Sequence, residues 1–135
     1  MYFIFNPIIM SNNYTRRLWL LGTAWLLCNI LHAQDLERLE KLADKARTQQ
    51  ERLDAMKTLI DSSSVVDLAR TATYVEQMRD MARRAGSDYH LGYVEEKQGM
   101  LSYRGSHLDS ARVQYNRSYE YYQKAGRQEE ALLAY

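Results

Sequence analysis

The chain has 135 residues, with 18 basic and 17 acidic side chains and a net charge of +1. That length is about one domain, and so even a charge balance offers no electrostatic case for nucleic acid. Both tryptophans, both phenylalanines, the single cysteine and the single proline lie before residue 34. The remainder must build its core from Leu, Ala, Met, Val and Tyr, without disulfide or thiol chemistry.

The N-terminal asymmetry reads as an address. Arg16-Arg17 is a positive patch, Leu18 to Leu31 is an apolar run broken mainly by Asn29, and His32-Ala33-Gln34 leads into a charged segment. This order fits a secretory signal peptide cleaved near Ala33 or Gln34. The run of 14 residues is shorter than the roughly 20 needed to span hydrocarbon; the competing reading is an uncleaved anchor helix. Met1 to Tyr14 makes an overlong leader, and Met10 is an alternative start. Thr15-Arg16-Arg17-Leu18-Trp19-Leu20 resembles a twin-arginine export signal with Trp in place of Phe. Cys28 follows Leu27, where a lipoprotein requires a small residue, so it reads as part of the apolar run. Residues 1–34 are therefore expected to be leader and signal peptide, and the protein to be exported, periplasmic or envelope-associated in a bacterium.

From Asp35 onward apolar residues recur at helical spacing. Leu36, Leu39, Ala43 and Ala46 predict a short helix within 35–47. Thr48-Gln49-Gln50-Glu51 is a capping box opening a helix with the stripe Leu53, Met56, Ile60, stopped by Ser62-Ser63-Ser64. A third helix places Ala72, Val75, Met78, Ala82 and Ala85 on one face. Ser87-Asp88 caps a fourth carrying Tyr89, Tyr93, Met100 and Tyr103, which Gly105-Ser106 breaks. The fifth carries Leu108, Ala111, Tyr115, Tyr119 and Tyr122, and a sixth begins at Glu129 and runs to Tyr135. Sustained period-two alternation is absent, so strands are not expected.

Two stretches repeat. Ser64-Val65-Val66-Asp67-Leu68-Ala69-Arg70 runs on to Ala85-Gly86, and Ser106-His107-Leu108-Asp109-Ser110-Ala111-Arg112 runs on to Ala125-Gly126. Each opens with Ser-x-x-Asp, a capping-box pattern, and each closes on Gly, which readily takes the left-handed conformation after a helix. The starts lie 42 residues apart and the ends 40 apart, so the copies are divergent repeats. Short connections force neighbouring helices antiparallel. Helical hairpins at a period of about 40 residues predict an all-α solenoid. About two and a half repeats are expected over 48–135, behind the signal peptide.

Within the second unit, Gln98-Gly99-Met100-Leu101-Ser102-Tyr103, the Gly105-Ser106 turn, Leu108, Ala111 and Tyr115 resemble the tetratricopeptide repeat family. That pattern has a small residue midway along the first helix, a glycine turn, then Ala and an aromatic four residues later. Gly99 and Ala111 would let two backbones approach, with Tyr115 filling the space beyond. Glu95 and Gln98 depart from the pattern, which favours Trp and Leu there, and Pro closes neither unit; Thr71 and Val75 are the weaker counterparts in the earlier unit. The resemblance implies a groove, lined by each hairpin's first helix, that binds a peptide or protein partner. Its candidate residues are Tyr93, Glu96, Met100, Tyr103 and Arg104. Tyr and Arg are enriched at binding hot spots, although Tyr93, Met100 and Tyr103 at helical spacing also read as core.

Catalytic patterns are not found. His90 and His107 stand near helix starts, read as solvent-facing, and have no carboxylate or thiol at metal-ligand spacing. Glu95-Glu96 and Glu129-Glu130 are adjacent pairs that a helix splays about 100° apart. Ser62-Ser63-Ser64 has no nearby base. The expectation is a non-enzyme without metal or cofactor: an exported scaffold or adaptor binding another protein, with no nucleic-acid partner and with membrane involvement only through the signal peptide or a downstream segment. The alternative is the N-terminal extracytoplasmic region of a longer histidine kinase or transcriptional regulator. In reserve stands a homo-oligomer, with the sixth helix docking on another subunit.

Overall fold

The protein was analysed as a computed structural model that describes Thr23 and residues 35–134. The chain divides into two compact units, Met1–Glu37 and Arg38–Tyr135. The expected signal peptide apart from Thr23, its cleavage site and Tyr135 lie outside the described residues. Residues 35–44 are helical (α1) and end in a turn at Lys45. Ala46, expected on this helix, lies beyond it. Five more helices follow: α2 (Gln49–Ser63), α3 (Leu68–Ala85), α4 (Asp88–Arg104), α5 (Leu108–Lys124) and α6 (Gln128–Leu133). No strand occurs among the described residues, and the architecture is all-α.

The helix ends explain where each rod stops. At α2 the expected capping box forms: Thr48 Oγ1 accepts from the Glu51 N–H at 3.1 Å, and the Glu51 carboxylate accepts from the Thr48 N–H at 3.2 Å. The next expected box, Ser64-x-x-Asp67, does not form. Ser64 is still donating its N–H to the Ile60 carbonyl at the end of α2, so the cap passes to Asp67, whose Oδ1 accepts from the Arg70 N–H at 3.0 Å. Ser106-x-x-Asp109 fails for a different reason. Ser106 sits at φ +63°, in the left-handed region, while Gly105 keeps φ −81°. The His107 N–H returns to the Ser102 carbonyl at 2.9 Å, closing α4 with the bond that usually accompanies a left-handed residue. The serine has taken the conformation that glycine adopts most cheaply. Gly86 and Gly126 do adopt it, at φ +63° and +71°.

Connections of two to four residues turn each helix back on the last, and packing follows chain order: α2 on α3, α3 on α4, α4 on α5, α5 on α6. Leu53, Leu59 and Ile60 of α2 are buried, as are Val75, Met78 and Ala82 of α3 and Val94 of α4. Tyr74 of α3, not anticipated as core, is buried and donates its hydroxyl to Glu40 of α1. Burial and that carboxylate push the phenol up to about 12. Leu108, expected in the α5 stripe, is exposed because it is the first residue of its helix, beside the turn that joins α4 to α5.

The most extensive packing is between α4 and α5. A Cβ at Gly92 would lie 2.8 Å from the Tyr122 ring, and one at Gly99 would lie 3.0 Å from the Tyr115 ring. Two glycines seven residues apart on α4 thus receive two tyrosines seven apart on α5, in antiparallel order. Seven residues is about two helical turns, so both pairs fall on one seam. Between them the Ser118 hydroxyl donates to the Gly92 carbonyl at 2.8 Å, in full burial. Gly99 and Tyr115 were legible in the sequence; Gly92 was not.

Candidate functional site

The candidate residues all lie on α4, which packs between α3 and α5 and reaches α2 through side chains. Tyr93 is 3 % exposed. Its hydroxyl donates to Asp61 Oδ1 of α2 at 2.7 Å and approaches the Lys57 carbonyl at 3.3 Å. Two ammonium groups flank its ring, Lys57 Nζ at 4.7 Å and Lys97 Nζ at 5.0 Å from the centroid, an arrangement favoured by the ring quadrupole. Both lysines also reach Asp61, each at 3.0 Å. Burial alone would raise the Asp61 carboxyl; the Tyr93 hydroxyl, Lys57 and Lys97 outweigh it and hold it below the ordinary carboxylate range. The Tyr93 phenol is pushed strongly upward by burial and then by Asp61, so it stays a neutral donor.

These bonds set a register. Asp54 faces His90, Lys57 faces Tyr93 and Asp61 faces Lys97, each pair 36 residues apart. A constant offset along two helices means that they run parallel. The first helices of successive hairpins therefore lie side by side. Arg104 extends the pattern: its Nη1 donates to the Ser64 carbonyl at 2.7 Å. No basic residue lies in the last turn of α2 itself, so Arg104 supplies the cation that a helix C-terminus favours. At the other end of α4, the Arg127 guanidinium stacks on the Tyr89 ring at 4.8 Å, tying the start of α4 to the start of α6.

The remaining candidates are more open. Glu96 is half-buried and accepts from the Tyr122 hydroxyl of α5 at 2.8 Å. Burial, followed by Glu96, raises that phenol. Met100 is half-buried, Tyr103 is 63 % exposed and Arg104 is exposed. The structure therefore places Tyr93 as a buried strut and leaves Met100, Tyr103 and Arg104 toward the accessible C-terminal half of α4.

Two buried ionisable residues, His90 and Glu95, were not anticipated as buried. His90, expected to face solvent, is 2 % exposed. Its Nδ1 bonds the Ser87 hydroxyl at 2.7 Å, while Nε2 stands 3.6 Å from Asp54 Oδ1 without a hydrogen bond. Burial lowers its pKa against the opposing pull of Asp54. The correction has a simple cause: the short Gly86-Ser87 turn folds α4 tightly onto the preceding hairpin, so its first turn is already inside. Glu95, at the position where Trp was expected by resemblance, is buried and pairs with Arg79 of α3 at 2.9 Å; their side chains are 7 % and 15 % exposed. Glu95 Oε2 and Arg79 Nε find no hydrogen-bond partner.

Among the described residues no cluster of three His, Cys, Asp or Glu could hold a metal, and no helix is long and apolar enough to cross a membrane. Comparison with protein-family models, with curated proteins and with solved structures finds no match.

Proposed function

We propose that this chain is a protein-interaction module of the tetratricopeptide type, a non-catalytic scaffold that holds a peptide or protein partner against the face formed by α2 and α4. The observation that carries this reading is the constant 36-residue register between those helices. It gives successive hairpins equivalent first helices on one continuous side, as a repeat stack requires. On this reading Tyr93 is the floor, fixed by Asp61 and the two lysines. Glu96, Met100, Tyr103 and Arg104 supply the contacts, with Tyr103 and Arg104 as the anchors. Export of the mature chain belongs to the same proposal.

A photo-crosslinking residue at Met100 or Tyr103 should capture a discrete partner from envelope extract, and the same residue at exposed Arg117 of α5 should not. Tyr103→Ala with Arg104→Ala should abolish the Met100 product. Equal capture from Arg117, or none from any position, overturns the assignment. Export is checked by fractionating bacterial cells: recovery in the envelope with a start near Gln34 supports a cleaved signal peptide, an intact N-terminus there favours the uncleaved anchor, and recovery in the cytoplasm alone contradicts export.

A further inference from the structure

A cavity of about 250 Å³ lies away from that face, between the start of α2 and the end of α3, lined by Arg47, Thr48, Gln49, Arg52, Met81 and Arg84. We propose that it binds a phosphate-type oxyanion, either free inorganic phosphate or the head of a phosphomonoester. Three arginines from separate places line it: Arg47 from the α1–α2 connection, Arg52 from the first turns of α2 and Arg84 from the last turn of α3. None of the three pairs with a carboxylate or other acceptor among the described residues. Arg79 is engaged by Glu95, Arg127 by Glu130 and Arg104 by the Ser64 carbonyl. Arg83, Arg112 and Arg117 are exposed and, like the trio, unpaired among the described residues, but they do not line this cavity.

The neighbouring acids do not neutralise the trio. Glu51, one residue from Arg52, spends its carboxylate on the backbone N–H groups of Arg47 and Thr48 at 2.8 and 3.2 Å. Asp80, one turn before Arg84, makes no ion pair with it. The start of α2 is not needed as the binding element, since the Glu51 N–H is already taken by Thr48 Oγ1. What remains is a set of planar, permanently charged forks suited to bidentate contact with phosphoryl oxygens. The cavity falls below the roughly 300 Å³ at which pockets for larger organic ligands begin, so the fit is to a small anion or a phosphoryl head, with Met81 as an apolar side wall.

The test uses the full chain. Inorganic phosphate and glycerol phosphate are titrated separately by calorimetry, and melting is followed at constant ionic strength against sodium chloride. Binding of either anion, with melting raised above the chloride control, supports the site, and the anion that binds identifies the source. Arg52→Ala and Arg84→Ala should each weaken binding by about tenfold to a hundredfold, the range for a lost charge-assisted hydrogen bond. Arg117→Ala should leave it unchanged. All three side chains are exposed, and folding of each variant is verified by circular dichroism. No stabilisation beyond chloride, or an equal loss in Arg117→Ala, overturns the proposal.

Discussion

The two faces of α4 are held by opposite chemistry. Toward α5 the contact is steric: a methyl group at Gly92 would collide with the Tyr122 ring, and one at Gly99 would press on the Tyr115 ring. Toward α3 it is ionic, buried Glu95 with half-buried Arg79, whose Nε makes no hydrogen bond but stands 3.5 Å from exposed Glu76 Oε2, and Glu95 Oε2 is left unsatisfied. The steric side rewards any residue small enough and specifies depth. The ionic side specifies which residues meet, at a desolvation cost that its geometry does not fully offset. A single helix thus joins the two hairpins with a tight contact on one flank and a selective one on the other.

The ionic flank should give the largest effect. Glu95→Ala leaves half-buried Arg79 with only exposed Glu76, whose Oε2 stands 3.5 Å from its Nε, and is expected to cost about 1.5–3 kcal/mol in urea denaturation. Replacing both partners by leucine should recover most of that loss. If Glu95→Ala costs no more than a surface change, the pair is not a buried contact. The steric flank comes next. Gly92→Ala must displace the buried Tyr122 ring, an overpacking cost of about 1–3 kcal/mol, partly offset by the roughly 1 kcal/mol that alanine gains over glycine in a helix. Gly99→Ala should come out near neutral, because half-buried Tyr115 can move aside. The reverse order would show that the glycine–tyrosine register is misassigned.

Smaller still is the turn between the two helices. Ser106→Gly removes a side chain from a left-handed position, and should stabilise by about 1 kcal/mol. Gly126→Val should strain a position of the same kind and destabilise. Both are read from thermal or urea midpoints. The least effect is expected from acid. The His90 pKa is lowered in the fold, so the unfolded chain binds more protons there as pH drops below about 6.5, the ordinary histidine value. Its contribution is present above that pH and is lost as pH falls from it toward the folded value. His90→Gln should flatten the stability profile in that window; an unchanged profile would contradict the burial of His90.

What the sequence revealed was periodic or local. Helical spacing, the Thr48 capping box and the left-handed Gly86 and Gly126 depend on residues a few positions apart, and all appear as expected. The failures involve partners far along the chain. Ser64 and Ser106 carry the cap pattern, yet each is claimed by the end of the preceding helix. Glu95 and His90 look like surface residues until α3 and α2 pack beside them. Gly92 has no local signal marking it, since its role comes from Tyr122, 30 residues later. The candidate face was partly legible: the five residues do share α4, but only Asp61 and Lys57 of the neighbouring hairpin explain why Tyr93 points inward.

Parallel α2 and α4 bring both lysines over the Tyr93 ring, and nuclear Overhauser spectroscopy of the Tyr93 ring protons tests this most directly. Cross-peaks to the side-chain methylenes of both Lys57 and Lys97 are predicted. Contacts to Lys97 alone, its neighbour on α4, would mean that the two hairpins do not stack side by side and that no continuous face exists.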